Sequence, residues 1–157
     1  MNLSFLSRQA GKALKEKGQT LVTAESCTGG WVAQALTSVA GSSDWFERGY
    51  VTYSNAAKRE DLGVAQRTLL RHGAVSEQTA RAMARGALRH SRGTIALAIT
   101  GIAGPGGGAP GKPVGTVCFA WASRRKLRSE TKRFRGGRMS VRRQSVAHAL
   151  RGVLKCL

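Results

Sequence analysis

The chain has 157 residues, 41% of them hydrophobic, and sets 26 Lys and Arg against 8 Asp and Glu for a formal net charge of +18. That length suits one compact domain with a real core. No stretch approaches the roughly 18 to 20 apolar residues that cross a bilayer, and the amino terminus lacks a signal-peptide core, so a soluble, cytoplasmic protein is expected.

Leu3, Leu6, Ala10, Ala13 and Leu14 fall near helical spacing and Gly18 is a stop, so the first element is a helix. Residues 21–24 read as a short buried strand, 28–39 as a helix with Val32, Ala35, Leu36 and Val39 on one face, and 45–53 as a second strand. Residues 54–61 pattern as a helix, and a polar connection leads to Ser76, which caps a helix ending near His90. Residues 94–100 make the most apolar strand, and the loop at 101–111 is too rich in glycine for any regular element. Residues 114–122 and 127–134 read as two strands joined by a turn, and Val146, Leu150, Val153, Leu154 and Leu157 stripe a closing helix. Alternation followed by a late hairpin predicts an α/β fold, with a mixed, mostly parallel sheet covered by helices on both faces.

The chemistry collects after strands. Glu25-Ser26-Cys27-Thr28-Gly29-Gly30 follows the first strand and opens a helix, whose amino-terminal amides suit an anion or a developing oxyanion. The same pattern also describes an ordinary strand-to-helix turn. Tyr53-Ser54-Asn55-Ala56-Ala57-Lys58 follows the second strand, and Thr100 with the glycine loop follows the third. Right-handed crossovers carry consecutive parallel strand ends to one edge, so a single site can gather all three clusters. A lysine made neutral by burial can take a proton from a serine, which pairs Lys58 with Ser26. Cys27 is a rival nucleophile, although His72, His90 and His148 all lie in helical segments away from it. Three cysteines, Cys27, Cys118 and Cys156, form no CxxC pair, which points to free thiols and against structural zinc. The glycine loop has neither a Walker ending nor a dinucleotide fingerprint, so ATP hydrolysis is not indicated. Arg138 and Arg142 lie one helical turn apart, and either has the planar fork to clamp a phosphate.

Ten of the basic residues crowd into positions 123–143 beside a single acid, Glu130. Such a cluster attracts phosphates, nucleic acid included, yet it carries no recognition signature and also fits a solvated basic face. Nucleic-acid binding, if present, is expected to be non-specific.

Five motifs then become recognisable: 24–30 (AESCTGG), 46–55 (FERGYVTYSN), 73–76 (GAVS), 100–105 (TGIAGP) and 112–117 (KPVGTV). Together they resemble the CinA carboxy-terminal family, the nicotinamide-nucleotide amidases, over about residues 5–155. The resemblance implies a three-layer α/β/α sandwich that hydrolyses the carboxamide of nicotinamide mononucleotide to nicotinic acid mononucleotide and ammonia. It makes Ser26 the nucleophile, Lys58 its general base and Tyr53 a further catalytic residue. Glu25, Thr28, Gly29, Gly30, Asn55, Thr100, Gly101, Gly104, Gly106, Gly107 and Arg142 become substrate-binding, the glycine loop and Arg142 holding the ribose phosphate. It implies no metal or organic cofactor, a homodimer, and the standalone form of the domain over residues 1–157. Where relatives carry an acidic or amide residue before the first arginine of the last helix, this chain has Gly137, which favours Arg142 over Arg138. A non-catalytic nucleotide-binding module and a basic nucleic-acid-binding protein remain the alternative functions.

Overall fold

The structure, a computed structural model, describes residues 2–157. Helix α1 (Leu3–Glu16) leads into strand β1 (Leu21–Glu25), followed by α2 (Trp31–Thr37), β2 (Phe46–Val51), α3 (Asn55–Leu62), α4 (Gln66–His72) and α5 (Glu77–Arg89). Strand β3 (Ile95–Gly101), the hairpin of β4 (Thr116–Ser123) and β5 (Leu127–Arg133), and helix α6 (Arg138–Cys156) complete the chain.

Period-two alternation sorts the buried strands into two unlike faces. Ile95, Leu97, Ile99, Val117, Phe119 and Trp121 face one layer, built from α1, α2 and α6. Ala96, Ala98, Cys118, Ala120 and Ala122 face the other, where α5 lies across the sheet. The small face lets α5 approach closely, and α3 in turn abuts α5 so tightly that a Cβ on Gly86 would sit 1.9 Å from the Leu62 carbonyl oxygen. On the bulky face α6 rests directly on Trp121, whose Nε1 donates to the Ala149 carbonyl at 3.0 Å. The result is a three-layer α/β/α arrangement.

The sheet order is β2-β1-β3-β4-β5. Strand β1 pairs in parallel with β2 and β3, whereas β4 is antiparallel to both neighbours. By direction the sheet is mostly parallel, since only β4 opposes the rest. The carboxyl ends of β1, β2 and β3 therefore open on one edge, as the crossover rule predicts.

Boundaries differ from the sequence reading where backbone geometry intervenes. The helix expected over 28–39 shortens to α2 because Gly29 and Gly30 adopt φ of +60° and +96°, which end the turn before the helix begins. The expected strand over 45–53 contracts to β2, with Thr52 and Tyr53 already in the connection. The connection expected before Ser76 contains α4, whose start has no side-chain cap and which buries only Leu69. Among the described residues no helix is long and apolar enough to cross a membrane.

Candidate active site

Ser26 is the first residue after β1, and its amide donates to the Ile99 carbonyl at 2.9 Å, tying the turn to β3. Lys58 comes from the first turn of α3, which Ser54 starts by accepting from the Ala57 amide at 3.0 Å. Its side chain runs inward and is only 1% exposed. Lys58 Nζ donates to the Thr52 carbonyl at 2.8 Å and lies 3.1 Å from Ser26 Oγ, within hydrogen-bond reach. Among the described residues no carboxylate pairs with the amine, and burial lowers its pKa, with the Cys27 thiol opposing. One amine hydrogen held by Thr52 leaves the nitrogen lone pair free to take the serine proton.

Cys27, immediately beside Ser26, is in the opposite condition. Burial pushes its thiol up to about 12; its own backbone amide opposes the rise, the nearby Glu25 carboxylate adds to it, and Arg142 and Lys58 pull the other way more weakly. At neutral pH it is a small protonated side chain, not a thiolate.

A cavity of about 280 Å³ opens over this pair. Tyr53, Asn55, Thr100, Gly101, Gly104, Gly106 and Gly107 line it with Ser26 and Lys58, so all three sequence clusters meet. Thr100 Oγ1 donates to the Ala74 carbonyl at 2.8 Å, which draws the α4–α5 connection into the wall. Gly101 has a steric reason to lack a side chain: a Cβ there would stand 2.8 Å from Val117 Cγ2 and 3.1 Å from Cys27 Sγ.

Five residues expected in the site lie elsewhere. Glu25 is fully buried beneath the turn and accepts from Thr28 Oγ1 at 2.6 Å, the Val32 amide at 2.9 Å and the Ala33 amide at 3.0 Å. It caps α2 from inside the protein, so the helix terminus expected to receive an oxyanion is already satisfied. Thr28 belongs to that cap, and Gly29 and Gly30 supply the left-handed turn. Arg142 spends its guanidinium on the turn: Nε donates to the Cys27 carbonyl at 3.1 Å and Nη2 to the Thr28 carbonyl at 3.2 Å. The arginine at the cavity is Arg138, one turn earlier, donating to the Gly104 carbonyl at 2.8 Å and to Tyr53 Oη at 3.1 Å. Its signal in the sequence was the helix face it shares with Arg142, and the resemblance had favoured Arg142 instead. Ala74 and Val75 also join the wall, from a motif noticed in the sequence but given no role there.

The amide of Cys27, one residue past Ser26 and on the cavity wall, lies close enough to its own thiol to hold the thiol's pKa down. The site thus offers a hydroxyl, an amine biased toward neutrality, a backbone amide beside the hydroxyl and an exposed guanidinium around one small space. That set suits acyl transfer on a substrate with an anionic arm.

Comparison with known proteins shows which family the chain is similar to. The CinA C-terminal domain family matches residues 3–157. Nicotinamide-nucleotide amidohydrolase PncC of Escherichia coli K12 is 57% identical over 150 residues, covering 94% of this chain and 90% of that protein. The PncC amidohydrolase of Pseudomonas putida is 48% identical over 153 residues, covering 98% and 96%. The crystal structure of the competence/damage inducible protein CihA from Agrobacterium tumefaciens superposes with a TM-score of 0.95 at 46% identity, covering 98% of this chain and 94% of that one. With five sequence motifs, a shared fold and similarity along nearly its whole length, this chain belongs to the CinA C-terminal domain family.

Proposed function

We propose that the protein is an amidohydrolase that deamidates nicotinamide mononucleotide to nicotinic acid mononucleotide and ammonia. The observation that carries this reading is the buried Lys58 amine 3.1 Å from Ser26 Oγ, in a cavity whose rim holds Arg138. The names of the relatives supply the substrate class.

In the reaction Ser26 Oγ attacks the carboxamide carbon while its proton passes to Lys58. The Cys27 amide receives the oxyanion, a donor whose removal in comparable sites costs about 3 to 4 kcal/mol. Collapse of the tetrahedral intermediate breaks the C–N bond, and Lys58 returns the proton to the departing ammonia. Water, activated by the same amine, then hydrolyses the acyl ester and restores Ser26. A neutral lysine suits this substrate twice over, since it is the form that accepts a proton and it does not repel the positive pyridinium ring. Arg138 holds the ribose phosphate, and Tyr53, fixed through its hydroxyl by Arg138, orients the carboxamide from the rim.

Ammonia release by the purified protein tests the proposal, with nicotinamide mononucleotide compared against free nicotinamide and the dinucleotide. The mononucleotide is expected to be turned over far faster than free nicotinamide. Tight binding of the mononucleotide without ammonia release would instead leave a nucleotide-binding module.

A further inference from the structure

A second cavity is larger than the one over Ser26. It occupies about 850 Å³ at the opposite edge of the sheet, where β3 begins and β4 ends. Strands of seven and eight residues separate the two sites, roughly 20 Å at about 3.3 Å per residue. Six cations line it: Lys17, Arg89, Arg92, Arg124, Arg125 and Lys126, all exposed. An adjoining cleft of about 430 Å³ shares Arg125 and Lys126 and extends the basic lining to Arg128 and Lys155.

Among the described residues none of the six pairs with a carboxylate side chain; the acids engage Lys12, Lys15, Arg48, Arg81, Lys132 and His148 instead. One structural use for these cations exists, because α1, α5 and α6 all end at this edge and each helix carboxyl end carries about half a negative charge. Together the three ends amount to about one and a half charges, which about two cations offset. The remaining positive charges face an open concavity and repel one another, a cost that a bound polyanion reverses.

The composition of the groove narrows the anion. Four of the six cations are arginines, whose planar forks fit phosphate oxygens in pairs. Among the described residues no aromatic side chain lines the larger cavity, and Trp121, which borders the adjoining cleft, is 1% exposed with Arg128 over its ring, so unstacked bases find no platform. We propose that this groove binds the phosphodiester backbone of duplex nucleic acid without reading its sequence. The site is independent of the amidase cavity and does not rest on the function assigned to it.

The test is fluorescence anisotropy of a short labelled DNA duplex, titrated with protein across about 50 to 200 mM salt. Wild type is compared with the triple variant Arg124→Ala, Arg125→Ala, Lys126→Ala, and with a charge-matched triple on other surfaces, Arg8→Ala, Arg67→Ala, Arg85→Ala. Each lost phosphate contact flattens the slope of log K against log salt by about 0.9, so the groove triple should lower it by roughly 2 to 3 and the control by less than 1. The pair Arg89→Ala, Arg92→Ala, which enters the groove from α5 and the loop after it, should flatten the slope as well. Circular dichroism and the melting temperature, unchanged in all three variants, report that each is folded. Equal weakening by groove and control triples, or no weakening by either groove variant, would overturn the proposal. So would polyglutamate competing as well as duplex at equal charge, which would make the partner an acidic protein, or single-stranded DNA competing better than duplex.

Discussion

Replacing Lys58 by Met removes the amine while keeping most of the side-chain volume. Lys58 Nζ makes two contacts, to the Thr52 carbonyl at 2.8 Å and to Ser26 Oγ at 3.1 Å. Loss of the first leaves a buried carbonyl unpaired at about 1 to 3 kcal/mol, partly offset because a buried amine no longer has to be desolvated. The fold should therefore survive. Loss of the second removes the proposed general base, a contribution of about 10² to 10⁴ in rate, or about 3 to 5 kcal/mol. The assay is kcat/KM for ammonia release from the mononucleotide as a function of pH. In the wild type this should rise with pH along a limb centred below the ordinary lysine value of 10.5, because burial favours the neutral amine. The stability effect has a definite sign: the unfolded chain binds the proton more tightly, so wild-type stability rises as pH climbs from the folded pKa of Lys58 towards 10.5 and is lost as pH falls through it. The Met variant should lack both the activity limb and that stability slope. A variant that keeps more than about a tenth of wild-type kcat/KM, with the limb intact, would refute the role of Lys58.

Further outcomes separate the remaining parts of the site. Arg138→Ala should raise KM for the mononucleotide about 10- to 100-fold, as expected for a charged hydrogen-bond donor to phosphate, with a smaller fall in melting temperature from the single carbonyl, of Gly104, that it frees. Arg142→Ala should instead lower the melting temperature and kcat together, because it frees the carbonyls of Cys27 and Thr28. Gly101→Ala should cost about 1 to 3 kcal/mol, or about 2 to 12 °C in melting temperature, with a fall in kcat as Cys27 is pushed against its neighbour Ser26. Glu25→Gln should lower the urea midpoint by about 1 to 3 kcal/mol of stability, since its amide hydrogens would confront the donors of α2 that the carboxylate now accepts.

Most of the cavity lining was legible in the sequence because local order and topology agree there. Ser26 follows β1, Tyr53 and Lys58 flank the start of α3 after β2, and Thr100 ends β3, so parallel crossovers alone bring them together. The reading failed where contacts depend on rotation or on partners distant in sequence. Arg138 and Arg142 share a face at four-residue spacing, and only the packing of Val141 and Ser145 into the core sets which one reaches the cavity. Glu25 looked like a ligand residue, but its position in β1 points it under the turn, toward amides seven and eight residues ahead. Helix α4 has a weak pattern, with Leu69 buried and Leu70 exposed, and forms by lying against α5. The run of basic residues seemed one patch, yet the hairpin sends Arg124, Arg125 and Lys126 to one edge of the sheet and Arg138 to the other.

The central claim is that the hydroxyl of Ser26, and not the adjacent thiol, attacks the carboxamide. Ammonia release from nicotinamide mononucleotide by Ser26→Ala and Cys27→Ala, each checked for retained nucleotide binding, tests it most directly. The account predicts that Ser26→Ala binds the nucleotide and releases no ammonia above background, while Cys27→Ala keeps most of the wild-type rate. Substantial turnover by Ser26→Ala, or loss of turnover confined to Cys27→Ala, would contradict it.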